Sequence, residues 1–226
     1  MRTFLVLLLA YSGSLLAQEK TNIYSQMDSA GARHGSWVTR YPNDKPSEIT
    51  TYEHGKRQGV NVAFYNNGMI KSERYFKDDS LHGTQYFYDN VGRIKKQEDF
   101  SNGILNGPQI TYYPKGEKQQ QNNFVNGLKD GRSIWFYENG DTAAIYNYNQ
   151  GKIEGDVTSY YKEGMLKVKT HYVNNVQQGE YVGYYENGMI RERGTYRDDK
   201  KNGKFYLYNE EGKLVKTEKY KDGIKK

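Results

Sequence analysis

Cysteine is absent from this chain. No disulfide can staple it, no thiolate can serve as a nucleophile, and no cysteine-ligated metal centre can form. Proline is rare, four in 226 residues, and two of those (Pro42 and Pro46) fall at the start of the patterned region. Helical periodicity is missing beyond residue 34: apolar residues do not recur at three- and four-residue spacing. No apolar run reaches the roughly 20 residues that a membrane-spanning helix needs. Charge of one sign is lacking too. The 33 basic and 27 acidic residues are interspersed and leave only +6, with no basic block of the kind that grips a phosphate backbone. Hydrophobic content is low at 35%, yet there are 23 Tyr and 8 Phe. Each aromatic buries about 150–250 Å². Rings in place of aliphatics can therefore supply a core, and they argue against disorder.

Glycine is placed with a fixed period. Gly35, Gly59, Gly83, Gly107, Gly131, Gly155, Gly179 and Gly203 stand 24 residues apart. A period of about 20–50 residues marks a solenoid, propeller or linear array, in which each unit buries its apolar side against its neighbours. With the leading Gly as position 0, position 5 is aromatic in seven units: Phe64, Tyr88, Tyr112, Phe136, Tyr160, Tyr184 and Tyr208. Position 9 is Gly in the same seven: Gly68, Gly92, Gly116, Gly140, Gly164, Gly188 and Gly212. Position 17 is aromatic in all eight: Tyr52, Phe76, Phe100, Phe124, Tyr148, Tyr172, Tyr196 and Tyr220. Position 20 is always Gly, Asp or Asn.

These columns spell two strands and two turns per unit. Asn67-Gly68, Asn139-Gly140 and Asn187-Gly188 at positions 8–9, and Asn102-Gly103 and Asn126-Gly127 at positions 19–20, are hairpin signals. A two-residue type I′ turn needs positive φ at both central residues, which Gly, Asn and Asp tolerate. The segments between are rich in Tyr, Val, Ile, Thr and Phe, as strands require. The expected fold is all-β: an elongated antiparallel meander of eight hairpins and about sixteen strands. At a spacing of roughly 4.8 Å it would be on the order of 75 Å long. If both turns are two-residue loops, position 17 lies opposite position 0, and its ring would fill the space over the glycine. The Gly and aromatic residues named, among them Gly59, Gly68, Phe76, Gly107, Gly116, Phe124, Gly131, Gly140, Tyr148, Gly155, Gly164 and Tyr172, are then turn and core residues. Asn22–Asp28 reads as an extra edge strand, and the lysines at 213, 216, 219 and 221 discourage strand addition at the other edge.

Residues 1–17 read as a secretory signal peptide: Arg2 as basic start, Phe4–Ala10 as apolar stretch and Ala17 as cleavage point. The expected organisation is leader 1–17, lead-in 18–34 and eight repeats over 35–226. Export without disulfides points to a bacterial periplasm, outer surface or extracellular space.

Catalytic chemistry finds little footing. His34 and His82 share a column but stand four strands apart, about 19 Å, and zinc needs three or four converging ligands. The pairs Asp78-Asp79 and Asp198-Asp199 occupy the turn column. The expectation is no enzyme, no metal and no cofactor. Position 6 offers a different possibility. Tyr41, Tyr65, Tyr113, Tyr137, Tyr161 and Tyr185 form a ladder that could face a ligand or could pack with position 17.

The segment Tyr-x-x-Gly-x-x-x-Gly, as in Tyr52-Gly55-Gly59 and Tyr148-Gly151-Gly155, resembles the MORN repeat. The 24-residue period and Phe64-Tyr65-Gly68 or Tyr184-Tyr185-Gly188 resemble its bacterial variant, whose members are often labelled YwqK-family antitoxins. The resemblance covers residues 35–226, with Asp79, Asn175 and Asp199 standing where the family has Gly. It implies a hairpin array for protein, lipid or membrane-surface contact. A neutraliser of an intracellular toxin would have no use for a signal peptide. The expected function is thus an exported protein-binding or scaffolding surface at the envelope. The alternative is a module for envelope glycan or anionic lipid, and an antitoxin-like inhibitor stands third. Nucleic acid is not an expected partner.

Overall fold

A computed structural model describes residues 25–226, so the signal-peptide reading of residues 1–17 and the start of the lead-in lie outside the described residues. The described chain forms one sheet of 22 strands, sixteen of them six residues or longer. Successive long strands pair antiparallel, as Pro46–Glu53 does with Arg33–Arg40 and Lys56–Phe64, while two-residue stretches such as Ser80–Leu81 pair beside Gly83–Tyr88 on the same neighbour, Ile70–Lys77. The result is an open meander with no helix among the described residues. At its start Gln26–Met27 forms a short strand on Arg33–His34.

The expected register holds in every unit. Gly35 faces Tyr52, Gly59 faces Phe76, Gly83 faces Phe100 and Gly107 faces Phe124. Gly131 likewise faces Tyr148, Gly155 faces Tyr172, Gly179 faces Tyr196 and Gly203 faces Tyr220. The turn at positions 19–20 is type I′ throughout. Its first residue has φ of 47–52° and its second 62–83°, even where His54, Gln150 or the Asp pairs stand.

The other turn differs from expectation. At positions 8–9 only the glycine has positive φ: 90° at Gly68, while Asn67 stays in the ordinary region. Gly68 N–H donates to Tyr65 O (2.8 Å) and Tyr65 N–H to Met69 O (2.8 Å). This is a type I turn closed by a left-handed glycine, the longer hairpin loop. It sets Phe64 opposite Ile70, whereas one step further Ala63 faces Ser72 and leaves Lys71 as a bulge. The longer loop and the bulge offset each other, which is why the Gly–aromatic register survives.

A second irregularity joins the units. Tyr52 faces Arg57 but Thr50 faces Asn61, so Thr51 alone spans Gln58, Gly59 and Val60. The leading glycine sits inside this bulge at φ +74°. A Cβ built on Gly59, Gly83, Gly155 or Gly203 would meet nothing within 4 Å. These glycines serve the bulge's left-handed backbone, and the cross-strand ring does not fill their space. Ring-over-glycine packing occurs at another position: a Cβ on Gly194 would lie 2.6 Å from the Phe205 ring.

The buried side of the sheet carries two cross-strand rows. One runs Trp37, Thr50, Asn61, Arg74, Gln85, Glu98, Gln109, Asn122, Ser133, Tyr146, Val157, Thr170, Tyr181, Gly194, Phe205, Glu218. It holds the least exposed side chains: Phe205 and Gln85 at 0%, Ser133 at 1%, Asn61 and Asn122 at 2%. The neighbouring row passes through Ala63, Ser72, Phe87, Lys96, Thr111, Gln120, Trp135, Ala144, Ser159 and Val168. We call this side the inner face.

Candidate binding faces

The sheet offers two faces and two loop edges, one edge made by the loops around positions 6–10 and the other by the type I′ turns at positions 19–20. On the inner face the N-terminal units hold polar clusters. Asn61 Nδ2 donates to Glu48 Oε1 (2.7 Å) and Thr50 Oγ1 (2.6 Å), while Arg74 reaches Asn61 Oδ1 and Glu48 Oε1 through Nη2 (2.9 and 3.0 Å). Gln85 lies folded into the inter-unit bulge. Its Oε1 accepts Tyr75 N–H (2.8 Å), and its Nε2 donates to His82 O and Gly83 O (3.0 and 2.9 Å). A chain of side-chain bonds then runs from Glu98 through Gln109 and Asn122 to Ser133.

Toward the C-terminal end the same row turns aromatic. Phe205 stands edge-on to Tyr196 and Tyr220, with centroids 5.7 and 5.4 Å apart. Tyr181 meets Tyr196 at 5.4 Å. Lys201 lies over the Phe205 ring at 4.3 Å and pairs with Glu192. Burial pushes the Tyr196 hydroxyl above its usual range, as it does at Tyr148 and Tyr172.

On the opposite face burial, with Glu73 second, pushes Tyr88 up to about 12. Asp156 is held below the usual carboxylate range by hydrogen bonds from His171 and Lys169. At position 16, Asn123 Nδ2 donates to Asp130 O (3.0 Å) and Asn147 Nδ2 to Asp156 O (2.7 Å). Asp99 occupies the same column with no N–H to give, and its Oδ1 is buried without a partner.

The tyrosine ladder lines the loop edge, with every hydroxyl engaged. Tyr65 donates to Tyr88 O, Tyr113 to Phe136 O, Tyr137 to Tyr160 O, Tyr161 to Tyr184 O and Tyr185 to Tyr208 O, at 2.7–2.9 Å. Tyr41 does the same to Phe64 O. Each bond crosses 23 residues and ties a unit to its successor. The signal for this staple was present in the column, although the sequence alone does not reveal the acceptor. Where the column holds Asp89, the carboxylate instead accepts N–H bonds from Val91 and Arg93 within its own loop.

The histidines also sit differently from their column spacing. His34 and His54 come within 5.9 Å, ring centre to ring centre, and His54 Nδ1 lies 2.9 Å from Asp28 Oδ2. Among the described residues no group of three or more His, Asp or Glu converges as metal ligands would. Nor is any helix there long and apolar enough to cross a membrane.

A one-layer hairpin array with stapled successive units defines a linear β-repeat protein. The repeat pattern of the family described as "MORN repeat variant" matches residues 57–78, 105–126, 129–150, 153–174 and 177–198. The chain is a MORN-repeat protein. All five matched windows contain both the position-6 tyrosine and the position-9 glycine. Among curated proteins none matches the chain. Solved structures give faint likenesses. One is a "Glycosylation Associate Protein (Gap123) complex from Streptococcus agalactiae", 19% identical over 51% of this chain and 22% of that one, with a TM-score of 0.29. Others are "TcdB2-TccC3-TEV" (12% identical, 89% of this chain and 14% of that one, TM-score 0.25) and "TcdB2-TccC3-Cdc42" (11%, 87% and 15%, TM-score 0.23). The chain spans less than a quarter of the length of each, and likenesses this slight carry nothing about function.

Proposed function

We propose that this chain is an exported, non-enzymatic scaffold that holds a protein partner at the cell envelope. The observation that supports this most is the repetition itself. One hairpin recurs eight times with its turns closed internally and six of its position-6 residues bonded to the next unit, so side chains on long faces remain for contact. Equivalent positions recur every two strands, about 10 Å. Such spacing suits an extended partner that makes several weak contacts at once. The leader-like residues 1–17 support export. Residues 18–226, immobilised and exposed to crosslinked envelope extract, are expected to recover one dominant protein. Recovery no better than that of a control whose exposed residues are shuffled would overturn the reading. Fusing residues 1–17 to a reporter tests export separately.

A further inference from the structure

We propose that the centre of the inner face binds a neutral glycan, with Trp135 as the platform on which a sugar ring stacks. This does not depend on a protein partner for the array.

The inference begins with a gap in the charge. In a chain that is 27% charged, the central stretch of both inner rows has no charged residue. One row reads Thr111, Gln120, Trp135, Ala144, Ser159, Val168, and the other Gln109, Asn122, Ser133, Tyr146, Val157, Thr170. Charges resume on either side, at Lys96 and Glu98 and again at Glu192. The strip crosses six strands, roughly 24–29 Å at the usual spacing.

Trp135 stands in the middle of this strip with 44% of its surface exposed. Its cross-strand neighbours are Gln120 and Ala144. Alanine is too short to cover the indole. The other tryptophan differs: Trp37 Nε1–H donates to His34 O (3.2 Å) and its ring is flanked by Arg33 and Tyr52. Trp135 makes no hydrogen bond or ring contact with any described residue. An exposed indole is costly in water, and here it is left free on one flat face.

The surroundings fit sugar chemistry. The C–H face of a pyranose is apolar and weakly positive, which matches the negative face of an indole. Its hydroxyls donate and accept, as do Thr111, Ser159 and the Gln120 amide. Gln120 spends one N–H on Asn122 Oδ1 (3.1 Å), while the hydroxyls of Thr111 and Ser159 bond no described residue. Beside them in the neighbouring row, Ser133 Oγ donates to Asn122 Oδ1 (2.8 Å). A charged ligand is disfavoured, because the strip has no opposite charge to offset its desolvation. A peptide strand cannot add here either, since the ladders on both sides of Trp135 are already filled.

Trp37→Phe leaves Trp135 as the only tryptophan, so its fluorescence reports on the site directly. The probes are cellohexaose, maltohexaose and chitohexaose, with oligogalacturonate as the acidic comparison. At least one neutral hexasaccharide is expected to give a saturating shift that is the same at low and high salt. In the Trp-containing chain, Trp135→Ala should weaken that sugar about tenfold or more by calorimetry, the equivalent of one stacking contact, and Trp135→Phe should recover part of it. More than half of the Trp135 surface is covered, so each variant is compared with the parent well below its own melting temperature. Ala144→Lys, which puts a charge beside the ring, should also weaken binding. The proposal fails if no neutral saccharide perturbs Trp135, if Trp135→Ala binds as well as the parent, or if only the acidic oligomer binds with strong salt dependence. None of these results bears on the envelope-protein reading.

Discussion

From Asn61 to Ser133 the most buried row of the inner face is held by side-chain amides and hydroxyls, whereas from Val157 to Phe205 the same positions are mostly apolar or aromatic. The backbone frame is common to both regions, with the same register and the same type I′ turns. The difference shows how a single-layer sheet closes its inner side by two routes. Amide packing is directional: each buried donor needs its one acceptor, and a broken member leaves another unpaired. Ring packing depends on area and shape, so its losses scale with volume and tolerate small changes of angle.

The sharpest way to break this contrast is Phe205→Ala. It removes the ring that three tyrosines contact and that lies over Gly194, and should cost about 3–5 kcal/mol by denaturant melts. Gly194→Ala should lose a comparable part of that, since its methyl would collide with the same ring. In the polar region Gln85→Leu keeps the volume but strands Tyr75 N–H and two carbonyls. It should cost about 1–3 kcal/mol. If it proves neutral, the amides there are not the element that holds the row. Tyr137→Phe removes one staple and should cost about 1 kcal/mol. Its hydrogen-exchange signature should stay within the two units it joins, because a linear array couples nearest neighbours. Asp99→Asn should raise stability by about 0.5–1 kcal/mol, by giving the orphaned position an N–H like that of Asn123; an unchanged melting temperature would refute it.

The smallest effects concern pH, and they differ in sign between residues. Glu218 is lowered from 4.5 to about 2 by hydrogen bonds from Lys216, Lys225 and Tyr220. Its stabilising contribution is present above pH 4.5 and is lost as pH falls toward 2. Tyr88 is raised from 10 to about 12, so its contribution is present below pH 10 and is lost as pH rises through 12. Melting temperatures of Lys225→Gln against the parent should converge at acid pH. Those of Tyr88→Phe against the parent should converge as pH rises from 10 toward 12, where the parent loses what the hydroxyl contributes.

Most of the frame was legible in the spacing of Gly35 to Gly203 and of their aromatic partners, because a strict period combined with turn residues leaves few registers open. The loop at Asn67-Gly68 was not, since Asn-Gly serves both a two-residue turn and the closing residues of a longer one. Its compensating bulge at Lys71 has no residue signature of its own. The inner rows were hidden for another reason: positions 2 and 15 of one row and 4 and 13 of the other change chemistry from unit to unit, so they form no column to read. Trp135 stood out only once cross-strand pairing set it among uncharged neighbours. The tyrosine ladder was visible as a column, but its acceptors are backbone carbonyls, and any sequence would supply those.

The staple has a direction. Each position-6 hydroxyl finds its acceptor in the unit that follows, 23 residues downstream. A hairpin that forms before the one after it therefore keeps one phenol solvated, and that phenol meets its acceptor only when the next hairpin is in place. Assembly advances like a zip fastener whose last closed tooth trails the growing end by one repeat. Truncating the chain one unit earlier or later should move a single tyrosine between wet and dry wherever position 6 carries one, which makes the phenols natural markers of how far the array has closed.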